Sequence, residues 1–113
     1  MASEAQKDLQ LTIAAKVFQR LYKTSWQAVS VAYSVGDQGE RVWFRPRDSE
    51  GRTVHTAPPA DLAADFAELR RIMAGGEHAW HAVELTLARD GVMSYDFTHD
   101  PEVEWGADGP PRR

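Results

Sequence analysis

The spacing of apolar residues switches between a helical and an extended period, and this switch constrains the fold more than any other feature. Apolar residues recur every three or four positions from Ser3 to Lys23 and every second position from Trp26. The same change follows Pro58-Pro59, where a helical stretch leads into alternation from Trp80. A period near 3.6 indicates an amphipathic helix, and a period of two indicates a half-buried strand. The sequence therefore predicts an α+β protein.

The first half of the chain predicts a helix over Ser3–Lys23 and an antiparallel hairpin. Turn residues at Gly36–Gly39 separate two alternating runs, and Pro46 stops the second run because proline cannot donate to a strand ladder. The side of the hairpin predicted to face the core carries Val29, Val31, Tyr33, Val35, Val42 and Phe44. A short third strand is predicted over Arg52–Thr56, after a turn at Asp48–Gly51.

The second half predicts the same arrangement. Pro58-Pro59 is placed in the first turn of a second helix, which Gly75-Gly76 ends. Alternation from Trp80 then leads to a two-residue hairpin turn at Asp90-Gly91. The returning strand is predicted to turn Met93, Tyr95 and Phe97 inward and Ser94, Asp96 and Thr98 outward.

Two one-sided helices can cover only one face of an antiparallel sheet, so we expect a two-layer α+β sandwich of about five strands in the order α-β-β-β-α-β-β. Residues 1–105 form a single domain in this prediction, and residues 106–113 form a flexible C-terminal tail. The strand openings Ser25–Val31 and Ala79–Leu85 resemble each other. Either a structural pseudo-repeat or the common residue preferences of half-buried strands that follow a helix explains that resemblance.

Amino-acid composition excludes several classes of function. The 113 residues carry a formal charge of −4, which argues against a surface built to neutralise phosphates. The chain has no cysteine, and this excludes disulfides, thiolate zinc sites and thiol catalysis. The N-terminal sequence lacks the basic and hydrophobic regions of a signal peptide, and no run is long enough for a membrane helix. We expect a cytoplasmic protein that does not contact a membrane.

No motif predicts chemistry. His78 and His81 have helical metal-ligand spacing, yet they fall at a strand entry, where that spacing gives poor ligand geometry. The chain has no nucleophile elbow, phosphate-binding loop or dinucleotide fingerprint. The sequence therefore predicts no catalytic residue, no metal and no cofactor.

The outward side of the predicted sheet is flat and carries mixed charge among small residues. Five of its residues are candidates for binding a partner: Arg41, Trp43, Arg45, Glu84 and Asp96. A flat surface with mixed charge suits a protein partner better than a small substrate, which needs a concave pocket. An exposed Trp43 between two arginines has the composition of an interface hot spot. Alternatively, Trp43 packs against Ala32 or lies beneath the tail with Trp105.

The candidate surface continues into an acidic stretch near the C-terminus. Between Gly91 and Pro111 the chain has five acids and no lysine or arginine. Asp100, Glu102 and Glu104 join Asp96 in this acidic edge as candidate partner-binding residues. Concentrated charge of this kind attracts a basic surface and speeds encounter, although such charge runs also serve simply to keep a surface soluble.

The layout resembles the YezG-like immunity proteins over residues 10–100. The most specific part is the run from Trp80 through Val83, Leu85-Thr86-Leu87 and Asp90-Gly91 to Tyr95-Asp96-Phe97. Members of that family are small cytosolic antitoxins that bind and neutralise polymorphic bacterial toxins, often nucleases. The resemblance implies a stoichiometric inhibitor of a cognate toxin domain, with no enzyme activity and no cofactor. The chain departs from the family pattern in its Pro58-Pro59 linker and its Pro-Arg tail.

Two other functions compete with this one. The first is a small ligand-binding protein or enzyme with a pocket between helices and sheet, which requires polar side chains in that layer. The second is an RNA-binding module that uses Arg41, Trp43 and Arg45, and an acidic chain suits it poorly. We therefore expect no direct nucleic-acid binding. Homodimerisation through an exposed strand edge stays open.

Overall fold

The architecture is α+β, as the periodicity predicts. The structure is a computed structural model that describes residues 4–36, 39–74, 80–99, 105 and 109–110. These residues form two helices and four strands: α1 (Glu4–Leu21), β1 (Trp26–Gly36), β2 (Gly39–Asp48), α2 (Leu62–Met73), β3 (Ala82–Ala88) and β4 (Met93–Thr98). Neither helix is long and apolar enough to cross a membrane.

The four strands form one antiparallel sheet in the order β2-β1-β3-β4. The prediction of about five strands is therefore wrong by one. In the segment predicted as a third strand, Arg52–Thr56, only an isolated bridge forms, between Thr53 and Arg47. The turn at Asp48–Gly51 brings this segment back against the edge of β2, and Pro58-Pro59 follows too soon for a full strand to pair.

The hydrophobic core lies between the two helices and one face of the sheet. It comprises Ile13, Ala14, Val17, Leu21, Trp26, Val29, Val31, Tyr33, Leu62, Phe66, Leu69, Trp80, Val83, Leu85 and Leu87. The Tyr33 ring stacks on Phe66 of α2 with centroids 5.5 Å apart, and Trp80 meets Tyr33 edge-on at 6.2 Å. Apolar and aromatic side chains thus fill the layer in which a ligand-binding protein would need polar groups.

The central strands relate the two halves of the chain. Strand β1 pairs with β3 so that Val31 lies opposite Leu85. Those two residues have the same sequence separation as Trp26, at the start of β1, and Trp80, two residues before β3, and both tryptophans are buried. The register is therefore consistent with an approximate twofold relation between the α1-β1-β2 and α2-β3-β4 halves, as the sequence echo suggests.

Three local predictions need correction. Strand β2 continues through Pro46 to Asp48, so Pro46 does not end the strand. Helix α2 begins at Leu62, with Asp61 at its cap position, so Pro58-Pro59 precedes the helix and is not in its first turn. The β3–β4 turn holds three residues, because the Ala88 amide donates to the Val92 carbonyl at 2.8 Å. Gly91 closes this turn with φ +97°. The extra residue keeps Tyr95 and Phe97 on the core side of the sheet.

Candidate functional site

The sheet face turned away from the helices, here called the outer face, carries the sequence-predicted candidates. Its side chains alternate with those of the core along every strand. They are Ala28, Ser30, Ala32 and Ser34 on β1, Arg41, Trp43, Arg45 and Arg47 on β2, Ala82, Glu84, Thr86 and Ala88 on β3, and Ser94, Asp96 and Thr98 on β4. Small side chains occupy the centre, and the large and charged ones lie on β2, β3 and β4.

Three candidates lie in one row across the sheet. Trp43 pairs with Ala32, Ala32 pairs with Glu84, and Glu84 pairs with Asp96. Adjacent strands are about 4.8 Å apart, so this row extends over roughly 14 Å from Trp43 to Asp96. The sequence placed these residues on the same face, and the strand order brings them into register.

A neighbouring hydroxyl orients the central carboxylate of the row. The Ser30 hydroxyl donates to a carboxylate oxygen of Glu84 at 2.6 Å. Ser30 lies on β1, diagonal to Glu84, and the sequence analysis did not single it out. Asp96 lies directly opposite Glu84 on β4, so two carboxylates stand side by side on this face.

The opposite end of the row is basic. Arg41 and Arg45 flank Trp43 along β2, and all three side chains are partly exposed. Arg47 continues the same series and was not among the predicted candidates, although its spacing of two residues from Arg45 was a sufficient signal. The outer face is therefore polarised, with arginines along edge strand β2 and carboxylates on β3 and β4.

Trp43 packs against two described residues near the C-terminus, Trp105 and Gly109. Its ring meets that of Trp105 edge-on, with centroids 5.7 Å apart and planes at 77°. Gly109 lies against the same indole, and both Gly109 and Pro110 are buried. The structure thus favours the interpretation in which Trp105 and the residues after it cover Trp43. Trp105 comes just before the segment predicted to be a tail, and Gly109 and Pro110 lie within that segment.

Asp100, Glu102 and Glu104 of the acidic edge fall outside the described residues. His78 is also outside them, whereas His81 lies just before β3. No group of three or more histidine or acidic side chains within the described ranges is placed to hold a metal ion.

A shallow, open pocket of about 340 Å³ lies away from the sheet. Its lining comes from α1 and the segment before α2: Lys16, Gln19, Arg20, Pro59, Ala60 and Asp61. The Lys16 ammonium lies 2.7 Å from the Asp65 carboxylate, and this hydrogen bond raises the pKa of Lys16. That contact joins α1 to α2. The pocket is thus a surface cleft at the helix layer and differs from the pocket between helices and sheet that a ligand-binding protein would need.

Two tyrosines on the core side have perturbed acidity. Burial raises the pKa of Tyr33, and its hydroxyl also donates to the Glu40 carboxylate. Burial likewise raises the pKa of Tyr95, whose hydroxyl donates to the Gln10 carbonyl of α1 at 2.7 Å. Both hydroxyls hold parts of the fold together, since one joins β1 to β2 and the other joins β4 to α1.

The row Trp43–Ala32–Glu84–Asp96, together with its flanking arginines, is therefore the candidate site. Comparisons with known proteins identify no further site residues, because no protein-family model matches the chain and no curated protein is significantly similar. The resemblance to YezG-like immunity proteins stays a prediction from the residues between Trp80 and Phe97.

Proposed function

We propose that this chain is an immunity protein that binds a cognate bacterial toxin domain and neutralises it. The toxin is a nuclease, and inhibition is stoichiometric, with no catalytic step by the immunity protein. The complex forms in the cytoplasm through the outer face of the sheet. Glu84 and Asp96 contribute charge, and the arginines beside Trp43 fix the orientation of the partner.

The row of Trp43, Glu84 and Asp96 is the observation that carries this proposal. It spans the sheet on the face that the helices leave uncovered, and its central residues are small. Glu84 is partly exposed and Asp96 is exposed, whereas Trp105 and Gly109 cover Trp43 and Ala32 is fully buried. The β3–β4 end of this row can therefore meet another folded domain. Interfaces between proteins commonly combine such a flat patch with aromatic and arginine side chains.

The charge distribution supports a nuclease as the partner. A nuclease surface is basic where it receives phosphates, and carboxylates are attracted to the same groups. Glu84 and Asp96 stand next to each other on β3 and β4, and the Ser30 hydroxyl restrains Glu84. A carboxylate that is already oriented loses less side-chain entropy when it binds. The acidic half of the row therefore suits contact with a basic active-site rim.

Co-expression tests the proposal. The chain is produced together with the protein encoded by the neighbouring gene, and growth and complex formation are both measured. We expect the chain to restore growth and to co-purify with an inactive variant of the toxin in a fixed ratio. The proposal fails if the toxin stays lethal and no complex forms.

A second measurement separates the competing functions. The chain is heated with a panel of metabolites and nucleotides, and the unfolding temperature is recorded. A ligand at one hundred times its dissociation constant stabilises a protein by about 2.7 kcal/mol. We expect no such stabilisation by any small molecule, and a saturable shift with one of them would favour a ligand-binding function instead.

A further inference from the structure

Strand β4 forms one edge of the sheet. It pairs with β3 on one side, and the order β2-β1-β3-β4 places no described strand on its other side. The opposite edge differs, because β2 contains Pro46 and forms the bridge from Arg47 to Thr53. Proteins commonly protect edge strands with proline, lysine or a covering segment. The sequence of β4, Met93–Thr98, contains no proline, lysine or arginine, so it lacks the protection that β2 has.

The hydrogen-bond pattern shows which backbone groups of β4 face outward. The Val92 and Thr98 carbonyls accept bonds from the amides of Ala88 and His81, on the β3 side. Successive residues of a strand direct their backbone groups to opposite sides, so the residues at odd positions of β4 face away from β3. Each of them presents an amide donor and a carbonyl acceptor to the outer edge, as a further antiparallel strand requires. These residues are Met93, Tyr95 and Phe97.

Large apolar side chains are exposed beside this edge. Val92 and Met93, at the start of β4, are both exposed, and Leu11 of α1 is 57% exposed. Helix α1 borders β4, because the Tyr95 hydroxyl donates to the Gln10 carbonyl. The residue next to this contact in α1 is Leu11, so the exposed apolar side chains belong to two neighbouring elements.

The position of Leu11 extends this surface into the helix layer. Lys16 faces α2, since its ammonium contacts the Asp65 carboxylate. Leu11 lies five positions earlier, about 140° around the helix from Lys16. It is therefore on the side of α1 that faces away from α2 and borders the edge of β4. Sheet and helix layers thus both expose apolar side chains along this edge.

We propose that β4 pairs with β4 of a second copy of this chain and forms a symmetric dimer with one continuous sheet. The twofold axis passes through Tyr95, so the two Tyr95 residues pair with each other across it. Met93 then pairs with Phe97 of the second copy. This register uses the outward amides and carbonyls of all three residues, and a twofold interface repeats each contact on both sides of the axis.

The side chains of β4 select this register. Directly opposite residues of an antiparallel pair lie on the same face, so Ser94 lies opposite Asp96 of the second copy. A serine hydroxyl can donate to a carboxylate, which accepts several hydrogen bonds. An axis at Asp96 would instead place two carboxylates opposite each other, which is destabilising. An axis at Ser94 would place Phe97 opposite Gly91 of the turn, where no side chain can pack against it.

The dimer also changes the candidate site. Ser94 of the second copy lies beside Asp96, so the row across the outer face continues from one copy into the other. On the core side, Met93 and Phe97 form an apolar pair across the interface. The inference does not depend on the proposed toxin binding, because both partners are the same chain.

Cysteine cross-linking tests the dimer and its register, because the chain contains no cysteine. Ser94→Cys and Asp96→Cys are prepared as separate proteins, both at exposed positions. In the proposed register these two positions face each other in a pair whose Cα atoms are about 4.5 Å apart, within reach of a disulfide. Two copies of the same variant hold their cysteines about 8 Å apart, which is too far.

Each variant alone and a mixture of the two are treated with oxidised glutathione and analysed on a non-reducing gel. We expect a cross-linked dimer in the mixture and in neither variant alone. Cross-linking of Asp96→Cys or Ser94→Cys alone to the same extent as the mixture would overturn the proposed register. The absence of a cross-link from all three samples would overturn the dimer.

Sedimentation velocity over a range of concentrations measures the dissociation constant of the dimer. Met93→Pro removes an amide that faces away from β3, so the variant keeps its pairing with β3. Met93→Ala is the matched control, because it shortens the same side chain and retains the amide. We expect Met93→Pro to raise the dissociation constant at least about tenfold above that of Met93→Ala, because each copy loses one hydrogen bond. Equal constants for the two variants, or a wild-type protein that stays monomeric at every concentration, would overturn the proposal.

Discussion

Tyr95 joins edge strand β4 to helix α1, and removing its hydroxyl tests how the sheet is attached to the helix layer. The hydroxyl donates to the Gln10 carbonyl at 2.7 Å, and the ring stacks on Phe97 with centroids 5.9 Å apart. Tyr95→Phe retains the ring and its packing. The substitution therefore removes one hydrogen bond, which lowers stability, and one ionisable group, whose removal raises stability relative to wild type only at high pH.

At pH 7 the loss of the hydrogen bond dominates. A hydrogen bond of this type contributes a net stabilisation of about 1 kcal/mol. For a domain of this size, that loss lowers the unfolding temperature by about 4 °C. We expect Tyr95→Phe to be less stable than wild type by these amounts at neutral pH.

At high pH the ionisable group dominates. Burial raises the pKa of Tyr95 in the folded protein, so the unfolded chain releases this proton first as the pH rises. The unfolded state then binds fewer protons than the native state, and the free energy of unfolding falls. With an unfolded pKa of about 10, the wild type loses about 1.4 kcal/mol at pH 11 through this residue. Phenylalanine does not titrate, so the two proteins should be about equally stable there.

Urea unfolding at pH 7 and pH 11, followed by tryptophan fluorescence, measures both effects. Other groups titrate in both proteins and cancel from the difference. Tyr22→Phe is the matched control, because the Tyr22 side chain is 72% exposed and lies in water in both states. A stability difference between Tyr95→Phe and wild type that stays the same at both pH values would refute this reasoning.

Two further substitutions test contacts between the first half of the chain, which carries α1, β1 and β2, and the second half, which carries α2, β3 and β4. Phe66→Ala removes a fully buried ring that stacks on Tyr33. We expect urea unfolding to show that the free energy of unfolding falls by about 3–5 kcal/mol. A decrease below about 1.5 kcal/mol would contradict the packing described. Arg89→Met removes guanidinium hydrogen bonds to the Thr24 and Trp26 carbonyls, at 3.2 and 2.9 Å. We expect a loss of about 1 kcal/mol by urea unfolding, and an unchanged midpoint would show that these bonds do not stabilise the fold.

Local pairing could be predicted from the sequence because turns and alternation determine it. Turn residues in the sequence at Gly36–Gly39 predict the β1–β2 hairpin, in which Gly36 pairs with Gly39 and Ala32 pairs with Trp43. The alternation of Tyr95 and Phe97 with polar residues assigns the faces of β4. Faces and hairpins therefore follow from short-range patterns.

The strand order and the third strand could not be predicted in the same way. Pairing of β1 with β3 arises when two hairpins pack against a shared pair of helices, and no local pattern encodes it. Thr53 has a residue type common in strands, yet only one bridge to Arg47 forms before Pro58-Pro59 and the start of α2.

The candidate site could likewise be predicted only in part. The outward direction of Trp43, Glu84 and Asp96 followed from alternation, whereas their alignment in one row required the strand order. The hydrogen bond from Ser30 to Glu84 and the position of Gly109 on Trp43 also depend on long-range contacts. The sequence could identify the surface but could not show which residues meet on it.

The association rate of the chain with its toxin domain tests the central proposal most directly. Asp96→Lys reverses a charge on the outer face, and Glu68→Lys makes the same change at an exposed position of α2, in the helix layer. Stopped-flow mixing at low and high salt gives the rate for each variant. We predict that Asp96→Lys slows association at low salt by about tenfold and that added salt reduces this difference, whereas Glu68→Lys changes little. Equal rates for the two variants at low salt would contradict binding through the outer face.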